Sequence, residues 1–444
     1  MSWMKSRSVV VGRSRKFVRR LFITGLPLVG IVVMSFVVSG KSSPPHDDEI
    51  KQISSKYKAF AKANAQSEGF KQREAAYCAS LIEGYDLAEL SVSHLRGLFP
   101  VLLKCPDRHE ALHERLTELA SNVSTDGFVA SSLDYFLASA QGQSVEMNLA
   151  LRQALAHDAM PTALEEGSEI AGGLLDTFST LDSRQLTGMG EVLIAFGQSL
   201  PDQIPGSILP STLNYYLALL RVPDGEVEVA ASEPIRQHLV TLFTKATKVA
   251  EDAKRSDAWY LKSRIAMLNG AFARRALMNQ EAPPMEILWS SNSALVPTLE
   301  NLRGKVIVLD YWAIWCAPCI AKFPEMRELQ TRYGGFDVEI IGMTSPQGYH
   351  LDPEKGRIDC SNDHEKEFNL VSGYMSHMDM TWTVAYSRES LFNNDYGVVS
   401  LPHMAILDTQ GRVRFNNIPV TTSLEELGAM IDSLLEEANL RAPE

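Results

Sequence analysis

The segment that most constrains this chain is the passage from an apolar run into a helix, with two cysteines at the junction. Val306 to Trp312 is rich in β-branched and aromatic side chains and reads as a buried strand, and Ile320 to Tyr333 reads as a helix. Between them stands Trp315-Cys316-Ala317-Pro318-Cys319. Cysteines at i and i+3 share one helical face, so their sulfurs can bond. The leading thiol sits at the helix start, where unpaired backbone N–H groups and the positive dipole end favour its thiolate. Pro318 lacks an N–H and fits the first helical turn. The competing use of such a pair is half of a zinc site, but zinc takes four ligands and no second Cys/His cluster follows at suitable spacing. No metal is expected here.

Two residues outside the motif extend it. Asp310 interrupts the apolar run, on the strand and six residues before Cys316. A carboxylate buried there has a raised pKa and can take the proton of Cys319 when that thiol attacks a mixed disulfide; alternatively, it is a strand-end residue that reaches solvent. Leu401-Pro402 directly precedes the apolar run from Met404 to Leu407. A cis bond there places extended backbone beside the cysteines, able to pair with a substrate strand; alternatively, the proline only opens an edge strand.

The surrounding pattern is α/β. Val338 to Met343 reads as a second buried strand, and Met404–Leu407 with Val413–Phe415 as a strand pair around Asp408-Thr409-Gln410-Gly411. The last helix begins at Ser423, with Glu426 completing a capping box. Its apolar face is Leu424, Leu427, Ile431, Leu434 and Leu435. Strands alternating with helices define an α/β domain, and Pro283-Pro284 marks the linker before it.

The run from Gly304 to Cys319 (GKVIVLDYWAIWCAPC) resembles the active-site segment of the thioredoxin superfamily. More narrowly it resembles the membrane-anchored TlpA/ResA-like branch, with a leader LENLRGK at 299–305 and a tail LPHMAILD at 401–408. The resemblance covers residues 283–444. It implies a thiol–disulfide oxidoreductase with Cys316 attacking, Cys319 resolving, Asp310 as the buried acid and Pro402 as the cis-proline. The Cys316–Cys319 disulfide is then the redox-active one, and Trp315, Pro318, Leu401 and Pro402 form the surface that a substrate meets. Two departures stand out. Cys319 and Pro402 are 83 residues apart, which indicates a long insertion, and His403 follows the proline where a small polar residue is usual.

Upstream, residues 47 to about 280 read as mostly helical. Leu261, Ile265, Leu268, Phe272 and Ala276 fall on one helical face, and Leu239, Phe243, Ala246 and Val249 form a similar stripe. Loop signals stand at Pro201–Pro205 and at Pro223-Asp224-Gly225. No internal repeat is evident, and nothing catalytic stands out, so the expectation is a scaffold or partner-binding domain.

The first 20 residues carry Lys5, Arg7, Arg13, Arg15, Lys16, Arg19 and Arg20 and no acid, although the chain is net −12. The acidic remainder argues against nucleic acid as a partner. Leu21 to Ser39 contains no charge, and its 19 residues span about 28 Å as a helix, near the thickness of a bilayer core. This run exceeds the usual apolar core of a cleaved signal peptide, so a membrane anchor is the favoured reading of the two. With the positive side in the cytoplasm, the body faces outward. The expected layout is a basic cytoplasmic tail at 1–20, a single transmembrane anchor at 21–39, a helical domain at 40–282 and a thioredoxin-like domain at 283–444. In a bacterium this puts the body in the periplasm, anchored to the inner membrane.

The neutral Ala-Pro spacer lacks the histidine that makes strong oxidants of this superfamily. Its poise is expected nearer about −270 mV than about −120 mV. The sequence therefore reads as an exported reductase of protein disulfides, recharged by a membrane electron donor and needing no cofactor. Met375, His377, Met378 and Met380, with the cysteine pair and His403, open a copper-handling alternative. A further alternative makes the helical domain a docking platform that the redox domain serves. Cys78 and Cys105 are either a structural disulfide or two buried thiols, and Cys360 stands alone in the insertion.

Overall fold

The computed structural model describes residues 44–443 except 68, 224, 296–297 and 353–354. The basic tail and the apolar run 21–39 lie outside these residues, as does Asp224 of the second loop signal. Among the described residues, no helix is long and apolar enough to cross a membrane.

The upstream region is helical, from α1 (Asp47–Asn64) through α5 (Thr125–Gln141), α10 (Leu209–Arg221) and α11 (Val229–Asp252) to α12 (Ala258–Asn269). Two apolar cores lie within it, and α5 belongs to both. Phe128 and Tyr135 enter one core, while Val129, Leu133 and Leu137 enter the other. A helix apolar on every side must be enclosed, which explains why eleven of its residues are buried. In α11, Leu239 and Phe243 are fully buried, whereas Val249 has turned outward to 62% exposure.

The helix α12 ends at Asn269, short of the stripe read from the sequence, so Phe272 and Ala276 lie beyond it. The cause is a contact with the downstream domain. A Cβ at Gly270 would lie 2.2 Å from the Asn394 carbonyl oxygen, so only glycine allows this approach. The side chain of Asp395 accepts from the Ala271 N–H at 2.9 Å, and its carbonyl accepts from the Phe272 N–H at 2.9 Å. These bonds replace the ones that would have carried the helix onward. Residues 279–282 then join the downstream sheet before the proline pair, with Asn279 N–H donating to Val413 and Ala282 N–H to Gly411.

The downstream domain is a six-stranded sheet in the order β1-β6-β3-β2-β7-β8. Its strands are β1 (Ile287–Ser290), β2 (Val306–Tyr311), β3 (Val338–Thr344), β6 (Thr383–Ser387), β7 (His403–Leu407) and β8 (Val413–Asn416). All six residues of β2 are buried, because it lies between β3, running parallel, and β7, running antiparallel. Helix α13 (Ala317–Tyr333) follows β2, and α15 (Leu424–Glu437) packs beside it through Tyr333 Oη, which donates to the Gly428 carbonyl at 3.0 Å. Ser423 and Glu426 form the capping box of α15. The segment between β3 and β6 holds a hairpin, β4 (Tyr349–Asp352) with β5 (Gly356–Asp359), and α14 (His364–His377).

Candidate active site

β2 delivers the chain to the cysteines, and α13 begins on them. Cys316 is the N-cap of α13, and the Cys319 N–H donates to Cys316 Sγ at 3.2 Å. The two sulfurs are joined in a disulfide. Both cysteines are buried, at 3% and 2% exposure, while Trp315 beside them is 42% exposed and marks the open edge of the site. A thiolate formed at Cys316 upon reduction would face the free N–H groups of the first turn, which Pro318 helps to set.

Asp310 lies within β2, across from Gly342 on one side and Met404 on the other. It is buried, and loss of solvent pushes its carboxyl up to about 7. It lines a narrow cavity of about 40 Å³ with Lys322, Glu325 and Pro402. That volume is large enough to hold a water molecule beside the carboxyl group. Lys322 Nζ pairs with Glu325 Oε2 at 2.6 Å on the same cavity wall. A carboxyl group that titrates near neutrality can both accept and return a proton during dithiol exchange.

The Leu401–Pro402 bond is cis. The β2–β7 register sets His403 opposite Tyr311, so Leu401 and Pro402 lie just past the strand end from which Trp312–Cys316 departs. His403 is buried, with Nε2 3.0 Å from Asn416 Oδ1 and its ring against the edge of Tyr311. Burial pulls its pKa down to about 4 despite the Asn416 hydrogen bond, so the imidazole is neutral at physiological pH.

One set of residues escaped the sequence reading. Trp315 Nε1 donates to Gln347 Oε1 at 3.0 Å. The backbone N–H groups of Gln347 and Gly348 donate to the two carboxylate oxygens of Glu367, at 2.8 and 3.1 Å. Glu367 is fully buried on α14, so the inserted segment braces the approach to Cys316. The only sequence signal was an acid near a helix start, which ordinarily marks nothing beyond dipole compensation.

The methionines of the insertion are packing residues: Met380 is buried in the domain core, and Met375 and Met378 pack against it. Among the described residues, no group of three or more His, Cys, Asp or Glu is placed to hold a metal. Cys78, Cys105 and Cys360 are buried free thiols. Burial pushes Cys78 up to about 12 and Cys105 up to about 11, and it raises Cys360 as well, so none is primed to ionise.

Over its C-terminal region the chain is similar to several known proteins. The family model for Redoxin matches residues 279–431. The thioredoxin-like protein YneN of Bacillus subtilis is 26% identical over 147 residues, covering 33% of this chain and 74% of that protein. The thiol-disulfide oxidoreductase ResA of Bacillus thuringiensis subsp. konkukian is 29% identical over 115 residues, covering 26% of this chain and 56% of that protein. A thioredoxin-family thiol:disulfide interchange protein from Chlorobium tepidum TLS is 18% identical, with a TM-score of 0.25, and the match covers 35% of this chain and 99% of that structure. The C-terminal region of this chain is thus matched by the Redoxin family model and is similar to thioredoxin-like and thiol–disulfide oxidoreductase proteins.

Proposed function

We propose that this chain is an exported, membrane-anchored reductase of protein disulfides. The observation that carries the proposal is a cysteine pair at a helix N-terminus, with a neutral Ala-Pro spacer and a buried acid lining the cavity beside Pro402. In the reduced protein, the Cys316 thiolate attacks a substrate disulfide. One substrate sulfur leaves as a thiolate, and a mixed disulfide forms. Asp310 accepts the proton of Cys319, and Cys319 attacks Cys316, releasing the second substrate thiolate and closing the Cys316–Cys319 disulfide. A dithiol donor in the membrane then returns two electrons and two protons to the pair.

The reductive direction follows from what the spacer lacks. Beyond the helix N-terminus, nothing charged between the cysteines holds the thiolate, so the reduced form lacks the extra stabilisation of strong oxidants and gives up its electrons more readily. The basic run at 5–20 and the uncharged run at 21–39 support anchoring with the body outside. The direction is tested by the equilibrium potential of the pair against glutathione. A value below that of glutathione is expected, and a value above it overturns the reductase reading. Cys316→Ser should abolish reduction of insulin disulfides. Protease added to spheroplasts should digest the body, and protection of the body would overturn export.

A further inference from the structure

A second concave site is lined in part by residues just before the cis-proline. It is a polar cleft of about 530 Å³ between the two domains. The redox domain contributes Val399 and Ser400, which immediately precede Leu401–Pro402. The helical domain contributes Arg221 at the end of α10 and Arg264 on α12. Neither arginine makes a salt bridge within 4.0 Å among the described residues, although Asp182 acts on Arg221 from farther away. Arg221 donates one arm to the Phe178 carbonyl, and its Nε is buried without a partner. Arg264 is held over the Tyr260 ring, with 4.5 Å to the centroid, and its Nε donates to Ser263 Oγ at 3.2 Å. The acid on the same wall, Asp176, already accepts from Asn214 at 3.0 Å.

Two guanidinium groups without a direct carboxylate contact in one cleft run against the character of an acidic chain. The rest of the Arg221 guanidinium lines the cleft, and the stacked Arg264 guanidinium has its fork already oriented. Carboxylates are the complementary partners. The backbone that leads from the cleft to the cysteines is the stretch 399–402, the same stretch against which a substrate strand would lie.

We propose that this interdomain cleft is a substrate subsite that takes an acidic stretch of polypeptide next to the substrate cysteine. The proposal rests on the disulfide-reductase reading and assigns to the helical domain the selection of which disulfide is reduced. It adds no step to the redox chemistry: the carboxylates are bound, and electrons move only through the Cys316–Cys319 pair.

The test uses the full-length chain and fluorogenic peptide disulfides in three forms. One has glutamates before the cysteine, one has glutamates after it, and the third has glutamines in both places. The expected result is a roughly tenfold higher kcat/KM for one glutamate peptide than for the glutamine peptide. In Arg264→Gln, and in Arg221→Gln, that ratio should fall toward one. Each ratio is taken on a single preparation, so incomplete folding of a variant cancels. Equal kcat/KM for all three peptides overturns the cleft proposal alone, as does a preference that survives both substitutions. Failure to reduce any peptide overturns the reductase reading and this proposal together.

Discussion

Trp315 Nε1 lies 3.0 Å from Gln347 Oε1, so the residue next to Cys316 is fixed by the segment inserted after β3. Gln347 is held in turn by Glu367, whose carboxylate takes two backbone N–H groups in a buried setting. Glu367→Ala leaves both donors without acceptors and should cost about 1–3 kcal/mol in urea unfolding. It should also lower kcat/KM, since Trp315 loses its support. Glu367→Gln keeps one acceptor and should do less on both counts. Unchanged stability in Glu367→Ala would mean that solvent already satisfies that turn.

Asp310 makes stability depend on pH in a definite direction. Its carboxyl group is held near 7 in the folded protein, against an ordinary value of 3.8. The folded chain therefore binds this proton more tightly than the unfolded chain does. The contribution is intact below about pH 4 and is lost as pH rises through about 7. Asp310→Asn removes that loss and should stabilise the domain by about 3 kcal/mol at neutral pH. The same variant should reduce disulfides roughly ten- to a hundredfold more slowly, without the inflection near pH 7 in its rate profile. A gain in stability with no loss of rate would remove Asp310 from the proton transfer.

His403 acts on the opposite side of the pH scale. Its pKa falls from 6.5 to about 4 on folding, so the unfolded chain binds the extra proton between those values. Stability is retained above about pH 6.5 and declines as pH falls toward 4. His403→Gln keeps a donor for Asn416 and removes the titration. Its denaturation midpoint should therefore be flatter than that of the wild type between pH 6.5 and 4.

The seam between the domains has its own signature. Gly270→Ala places a methyl group against the Asn394 carbonyl oxygen, and the two backbones must separate to admit it. We expect a loss of roughly 1–3 kcal/mol in thermal or urea unfolding. Asp395→Ala removes the acceptor for the Ala271 N–H and should also destabilise the seam. Wild-type stability in Gly270→Ala would show that the contact yields freely.

Much of the redox domain was legible because its signals are local. The strand carrying Asp310, the helix that follows it and the Ser423 capping box each sit within a few consecutive residues. Parts of the sheet were not legible for the same reason. β6, with the sequence Thr-Val-Ala-Tyr-Ser, is a short strand whose identity comes from pairing with β3 and β1, far away in sequence. The α12 stripe was read too far because periodicity continues through Phe272 and Ala276, while the helix is stopped by Asp395, more than a hundred residues later. The Trp315–Gln347–Glu367 brace has no sequence pattern beyond an acid near a helix start, since its parts meet only after the insertion folds. His403 looked like a departure with chemical potential, but its burial and its Asn416 partner make it a neutral packing residue.

The early end of α12 has a mechanical consequence. The loop that stops the helix, at Asn394–Asp395, is continuous with the loop that reaches Leu401–Pro402 a few residues later. The helical domain is thus fastened to the same short span of chain that fronts the cysteines. Spreading the two domains requires breaking the bonds from Ala271 and Phe272 to Asp395. The width of the gap between them is therefore tied to two hydrogen bonds at a single aspartate.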